Sequence, residues 1–448
     1  MKKARPTGII INDFFMPSDP FYMASKSMLS DVISISVTLY RIQKGFVHVV
    51  SDYRLWCKDI LSPFTGCKDK TATIHSPDVK EILTMKNLFR PLQIGPFTLP
   101  NRIFMAPLTR CRTEVDHIPT ALMAKYYAQR AEAGLLIAEA TMVMAGNSAF
   151  WREPGIYSQA QVEGWRLTTE AVHEAGGHIF LQLWHGGRAC HPLLNNGAQP
   201  VSASPLAITG EEVLTPEGKQ PYVVPRELND NEIPAIVDGF KKAAKNAKAA
   251  DFDGVEVHGA NGYLLDQFLR DGSNKRTGPY GGPVANRARL LFEVLEGVSE
   301  VWGNDRVGLR LSPLNSYNAM EDSDPIGLVT WLADRLNGFN LAYLHLMRGD
   351  FFGRQQGDVL TPVRERFHGV LVGNMGYSPE EAEAVVAAGT LDAVAFGTAF
   401  LATPDLPTRI WANVPLNEPD SATFYTQGEQ GYTDYPFWRP ISAGEGRP

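Results

Sequence analysis

The chain has 448 residues, of which 44% are hydrophobic and 20% charged, and a formal net charge of −7. That length serves one large domain with an extension, or two or three small ones, and the composition is that of an ordinary soluble globular protein with Gly and Pro to spare for long loops. The acidic balance argues against nucleic acid as a main partner, and no run of about 18 apolar residues marks a membrane span. Four cysteines (Cys57, Cys67, Cys111 and Cys190) are too few and too scattered for a disulfide framework, which fits a reducing, cytoplasmic setting.

The chain divides near Met85. In residues 1–84 the clearest pattern is Val32 to Ile42, where Ile33, Ile35, Val37 and Leu39 alternate with polar residues as in a half-buried strand. Met1-Lys2-Lys3 is not followed by the continuous apolar core of a secretory signal, and Asp13 and Asp19 disfavour a transit peptide. We read 1–84 as an extension of unknown structure outside the catalytic domain, disordered or non-native, with Met85 a candidate start site. An ordered accessory segment is the alternative.

From Asn87 onward the sequence alternates short apolar runs with amphipathic stretches. Pro91 to Leu99 reads as a small hairpin ahead of the first long apolar run. Eight runs read as buried strands: Arg102–Leu108, Leu135–Val143, Ile179–His185, Gly254–Ala260, Val307–Pro313, Asn340–Met347, Gly369–Met375 and Ala393–Phe400. Near-continuous apolar strands belong to a parallel sheet covered on both faces. Among the helices, Asn229–Ala250 carries the apolar stripe Ile233, Ile236, Val237, Phe240 and Ala244, with Asn229 and Glu232 spaced for a capping box. A second helix opens at Ser378-Pro379-Glu380-Glu381 and stops at Gly389. A long Pro/Gly-rich insertion, Gly186 to Glu227, comes after the third strand. The pattern predicts a (β/α)8 TIM barrel whose bottom is plugged by the N-terminal hairpin. An open doubly wound sheet is the rival, but its G-x-G-x-x-G fingerprint is absent.

Barrel chemistry sits at the C-terminal strand ends. The polar residues there are Thr109, Glu139, Gln182, His185, His258, Asn261, Arg310, Asn374 and Thr398. No strand ends in the lysine that a Schiff-base aldolase needs, and the histidines lack the clustering of a metal hydrolase, so no metal is expected. What remains is a set of neutral hydrogen-bonding groups with one arginine. Such a set suits a bound cofactor that carries the redox chemistry while the protein orients and polarises.

Several long motifs then resemble the Old Yellow Enzyme family: Asn101-Arg102-Ile103-Phe104-Met105-Ala106-Pro107-Leu108-Thr109-Arg110, Gln182 to Arg188, His258 to Leu269, Asn274-Lys275-Arg276-Thr277, Asp392 to Gly397 and Gly431 to Pro436. They run in the family's order from about residue 87 to the C-terminus. The resemblance implies that residues 85–448 form one catalytic domain binding FMN tightly and non-covalently, with NADPH or NADH as reductant. It also implies reduction of activated C=C bonds in α,β-unsaturated carbonyls, imides or nitroalkenes. In it His258 and Asn261 hold the substrate oxygen and Tyr263 protonates the α-carbon, Trp184 and Tyr432 line the substrate site, and Pro107, Leu108, Thr109, Ala140, Gln182 and Arg310 meet the flavin ring. Asn374, Met375, Gly376, Gly397 and Thr398 lie on the loops after strands seven and eight, which should supply N–H groups to the flavin phosphate. The chain departs from the pattern at Thr398, where many members carry arginine, and at Gly278, where they often carry Asp. Two other readings stay open: reduction of nitrate esters or nitro compounds (amine dehydrogenation is disfavoured by the missing iron–sulfur cysteines), or a flavin-poor barrel used as a binding scaffold. A monomer or small homo-oligomer acting on a small molecule is expected.

Overall fold

Every residue of eight short strands is buried, and these strands close into one parallel barrel: β1 (Ile103–Met105), β2 (Leu135–Met142), β3 (Ile179–Trp184), β4 (Gly254–Gly259), β5 (Val307–Leu311), β6 (Tyr343–Met347), β7 (Leu371–Asn374) and β8 (Ala393–Phe396). Each pairs with its sequence neighbours and β8 pairs with β1. The computed structural model describes residues 86–114 and 116–439, with two short strands at Thr38–Leu39 and Val49–Val50. The chain divides into two units, Met1–Met85 and Lys86–Pro448. In the first, Thr38–Leu39 pairs antiparallel with Val49–Val50. The rest of the strand expected over Val32–Ile42, and the reading of 1–84 as disordered or non-native, lie outside the described residues.

Helices cover the barrel in the expected alternation: α1 (Ala121–Ala128), α2 (Gln159–Glu174), α3 (Ile233–Ala249), α4 (Arg289–Trp302), α5 (Pro325–Leu336), α6 (Leu360–Arg366), α7 (Pro379–Ala387) and α8 (Leu406–Ala412). Local signals set their ends. Glu232 accepts from the Asn229 N–H at 2.8 Å in a capping box, and a 3-10 turn over Asp230–Glu232 leads into α3. Ser378 caps α7 by accepting from Glu381 N at 3.1 Å, and Gly389 leaves it with a φ of +73°. In α3, Ile233, Ile236, Phe240 and Ala244 are buried against the barrel, as the stripe predicts.

The bottom of the barrel is closed by the hairpin, in which Leu92–Ile94 pairs antiparallel with Phe97–Leu99. Leu92, Ile94 and Leu99 pack into a cluster with Phe104, Leu135, Ile137, Phe180 and Val372. Each such side chain contributes roughly 1.5–3 kcal/mol when removed from water.

Several strands are shorter than the sequence suggested. The first ends at Met105 because Pro107 brings no N–H to a ladder. The sixth begins at Tyr343, since Asn340 takes a left-handed φ of +49° at the end of a 3-10 turn. The eighth, expected to Phe400, ends at Phe396. The backbone then turns at Gly397 into a short helix, Thr398–Ala402.

Candidate active site

The fourth strand delivers the densest group of functional side chains. Past Gly259 the backbone turns through two left-handed residues, Asn261 at φ +58° and Gly262 at φ +72°. A Cβ on Gly262 would stand 2.6 Å from Met320 Cγ, so the turn needs both the torsional freedom and the bare backbone of glycine. Asn261 is held from three directions: its N–H donates to Ser312 Oγ at 2.7 Å, its carbonyl accepts from Asn318 Nδ2 at 2.9 Å, and its Oδ1 accepts from Asn315 Nδ2 at 2.9 Å. With Oδ1 engaged, the Asn261 NH2 is left as a donor at the wall of a cavity.

His258 lines the same cavity, and its Nδ1 has no hydrogen-bond partner. Burial, with Arg310 and His345 nearby, pushes the imidazole well below its usual pKa, so it stands neutral at pH 7. Tyr263 packs edge-on to Trp184 at 5.0 Å and against the His258 ring at 5.2 Å. Burial pushes its phenol up from the usual value, and the neighbouring phenols of Tyr317, Tyr222 and Tyr425 add to the shift. Tyr263 therefore keeps its proton through neutral pH.

A second wall comes from β1, β2, β3 and β5, where Pro107, Leu108, Thr109, Ala140, Gln182 and Arg310 line the cavity. Gln182 Nε2 donates to Glu256 Oε1 at 2.7 Å, and His345 Nδ1 lies 2.9 Å from the other Glu256 oxygen. That bond fixes the Gln182 amide with its carbonyl free to accept. Arg310 stands opposite His258 in the β4–β5 register. Its Nη2 donates to Asn374 Oδ1 at 2.8 Å, while its buried Nε lacks a partner. The remaining wall is Asn374, Met375, Gly376, Gly397 and Thr398.

The cavity measures about 560 Å³, within the roughly 300–1,000 Å³ of small-molecule and cofactor sites. Buried polar atoms with no protein partner, the Arg310 Nε and the His258 Nδ1, flank apolar Pro107, Leu108 and Ala140. Backbone of the Met375-Gly376 and Gly397-Thr398 loops lies on the same cavity. Donors, flat apolar faces and loop backbone in one cavity suit a heteroaromatic ring carrying a phosphate arm, so these residues fit FMN.

Two expected site residues do not reach the wall. Trp184 is fully buried behind Tyr263, its ring pressed against that phenol. Tyr432 is fully buried too, stacked on Tyr126 at 4.0 Å and capped by the Arg110 and Arg112 guanidiniums. Both support the site from behind. Among the polar strand-end residues, Glu139 points away because β2 carries an irregularity between Ala138 and Thr141, and it accepts instead from Arg110 N and Tyr127 Oη. The sequence reading missed the aromatic mouth of Phe150, Tyr317, Phe351, Phe352 and Tyr425, which lines the cavity from four different loops.

The model of the NADH:flavin oxidoreductase / NADH oxidase family matches residues 87–417. A Leishmania infantum protein described as a probable flavin mononucleotide-dependent alkene reductase is 50% identical over 355 residues, which are 78% of this chain and 97% of that protein. The solved old yellow enzyme of Trypanosoma cruzi superposes with a TM-score of 0.77 at 46% identity, covering 79% of this chain and 99% of its own. Morphinone reductase in complex with tetrahydroNAD superposes at 0.75 and 45% identity, covering 80% and 99%. Fold and site together define a flavin-dependent oxidoreductase on a (β/α)8 barrel. The chain belongs to the NADH:flavin oxidoreductase / NADH oxidase family, the family of the Old Yellow Enzymes.

Proposed function

We propose that this FMN-dependent alkene reductase takes reducing equivalents from NADPH or NADH and spends them on the activated C=C bond of α,β-unsaturated carbonyls, imides or nitroalkenes. When bound, FMN would supply the hydride chemistry that couples nicotinamide oxidation to alkene reduction. The protein's own groups do the rest. The NH2 of Asn261 and an N–H of neutral His258 face one cavity and hold the substrate's carbonyl or nitro oxygen, where negative charge builds as the β-carbon is reduced. Tyr263, kept protonated, delivers its proton to the α-carbon. Arg310, Gln182 and Thr109 would hold the polar part of a bound flavin, Pro107, Leu108 and Ala140 would pack against it, and the loops Asn374-Met375-Gly376 and Gly397-Thr398 would take its phosphate.

The observation that carries this reading is the placement of two neutral donors and a protonated phenol on one wall of the cavity. Anaerobic turnover of cyclohexenone with NADPH tests it, with the saturated ketone as the expected product. An enzyme that reduces nitrate esters or nitroarenes but leaves the double bond intact would favour the other reductive chemistry. Residues 85–448 form the catalytic domain in this proposal, and 1–84 add nothing to the reaction; the family match beginning at residue 87 supports that boundary. A cytoplasmic location and a monomer or small homo-oligomer complete it. No helix among the described residues is long and apolar enough to cross a membrane.

A further inference from the structure

The cavity end formed by Met375, Gly376, Tyr377 and Thr398 has no guanidinium of its own. Arg110 lines the cavity but is engaged by the carbonyls of Phe424 and Gly431, and Arg310 belongs to the ring-binding wall. Thr398 offers a hydroxyl where an arginine would offer charge. The loop beside it, from half-buried Met375 through exposed Gly376 to buried Tyr377, has an uncommon backbone. Met375 takes a φ of +92° and Gly376 one of +67°. A non-glycine residue there is strained and persists only when its surroundings enforce it.

The enforcing group is Arg348, the first residue past β6. Its Nε donates to Met375 O at 2.9 Å and its Nη2 to Gly376 O at 3.1 Å. Its guanidinium lies 3.7 Å from the Tyr377 ring centroid and forms an ion pair with Glu381 in the first turn of α7, in which Nη2 and Oε2 are 3.0 Å apart. The described peptides are all trans, so the N–H of each peptide points opposite to its carbonyl. With the Met375 and Gly376 carbonyls drawn outward to Arg348, the N–H groups of Gly376 and Tyr377 face the other way. Among the described residues, neither meets a protein acceptor. Successive backbone N–H groups left free on one side of a turn can together hold an anion.

We propose that Arg348, locked by Glu381, is a positioning residue for the cofactor phosphate: it holds the Met375–Gly376 turn so that backbone N–H groups bind the phosphate in a chain that lacks arginine at 398. Arg348 acts from outside the cavity and does not itself touch the phosphate. The inference rests on the FMN reading of the site.

The test titrates flavin-stripped full-length protein with FMN and, separately, with riboflavin, which has the ring but no phosphate, following flavin fluorescence. Arg348→Gln is expected to weaken FMN binding about tenfold or more, and riboflavin binding by less than about twofold. Arg348→Lys should fall with it, because one ammonium cannot bridge two carbonyls and a carboxylate in a fixed fork. Glu381→Gln should also weaken FMN binding, because it unlocks the clamp. Equal losses for FMN and riboflavin, or wild-type FMN affinity in Arg348→Lys, would overturn the proposal. So would tighter FMN binding in Glu381→Gln, which would mean that a freed Arg348 reaches the phosphate directly. Wild-type protein that binds neither flavin would instead overturn the FMN reading.

Discussion

Asn315 Nδ2 donates to Asn261 Oδ1 at 2.9 Å, and this one bond decides which end of the Asn261 amide faces the cavity. Asn315 also accepts from Phe351 N at 3.2 Å, so the same side chain ties the oxygen-binding amide to the loop that carries Phe351 and Phe352. Asn315→Ala is expected to cost about tenfold in kcat/KM for enones by letting the amide rotate, a part of the roughly 10²–10³-fold that outright loss of one such donor costs. FMN affinity should stay unchanged. An unaltered kcat/KM would show that Asn261 is not oriented by this contact.

Tyr263→Phe removes the proton donor and keeps the ring that packs on Trp184 and His258. Alkene reduction should slow by about 10²-fold or more, the usual contribution of a positioned general acid. Because burial raises the Tyr263 pKa above its ordinary value, the acid form persists to high pH and is lost only as pH rises through that raised value. The Tyr263-dependent rate should therefore be flat from pH 6 to about 9. A fall within that window, absent in Tyr263→Phe, would contradict the assignment.

Glu153 is buried, and burial pushes its carboxyl up to about 8, even though its Oε1 accepts from Ala149 N at 3.1 Å. Its Oε2 has no partner. Between the unfolded value of about 4.3 and about 8 the folded protein binds a proton that the unfolded chain does not, so stability falls as pH rises across that window. Glu153→Gln keeps the shape and removes the titration. Its Tm relative to wild type should climb from pH 5 to pH 8 and level off above. A Tm difference independent of pH would mean that Glu153 is ionised in the folded state.

A chain starting at Met85 should fold, take up FMN and reduce enones as the full chain does, because the two units divide at Met85 and the family match starts at 87. Expression of that chain and of the full chain, compared by flavin content and Tm, tests this. A shortened protein that binds no flavin would place residues 1–84 inside the functional unit.

The barrel was legible because strands buried on both faces leave continuous apolar runs, and because caps such as Ser378 and Asn229 act locally. His258, Asn261 and Arg310 were legible for the same reason: each is a polar residue on or just past an apolar strand. Strand ends were less so. Apolar Phe400 extends the β8 run, but it belongs to the helix after Gly397, and the sequence pattern does not mark where extended backbone gives way to helix. Trp184 and Tyr432 match lining positions by motif, but burial is settled by tertiary neighbours such as Tyr126 and Arg112. Tyr317, Phe351 and Tyr425 sit on loops far apart in sequence with no periodicity to link them. Arg348 left no signal either, because its partners, two backbone carbonyls, the Tyr377 ring and the Glu381 carboxylate, meet it only in the folded chain.

The most direct test of the central claim is the visible spectrum of the purified protein, followed without oxygen as NADPH and then cyclohexenone are added. The account predicts a yellow flavin spectrum that bleaches with NADPH and returns with the enone, with one equivalent of saturated ketone formed. A colourless protein that takes up no added FMN would contradict it, and so would a bleached flavin that the enone leaves reduced.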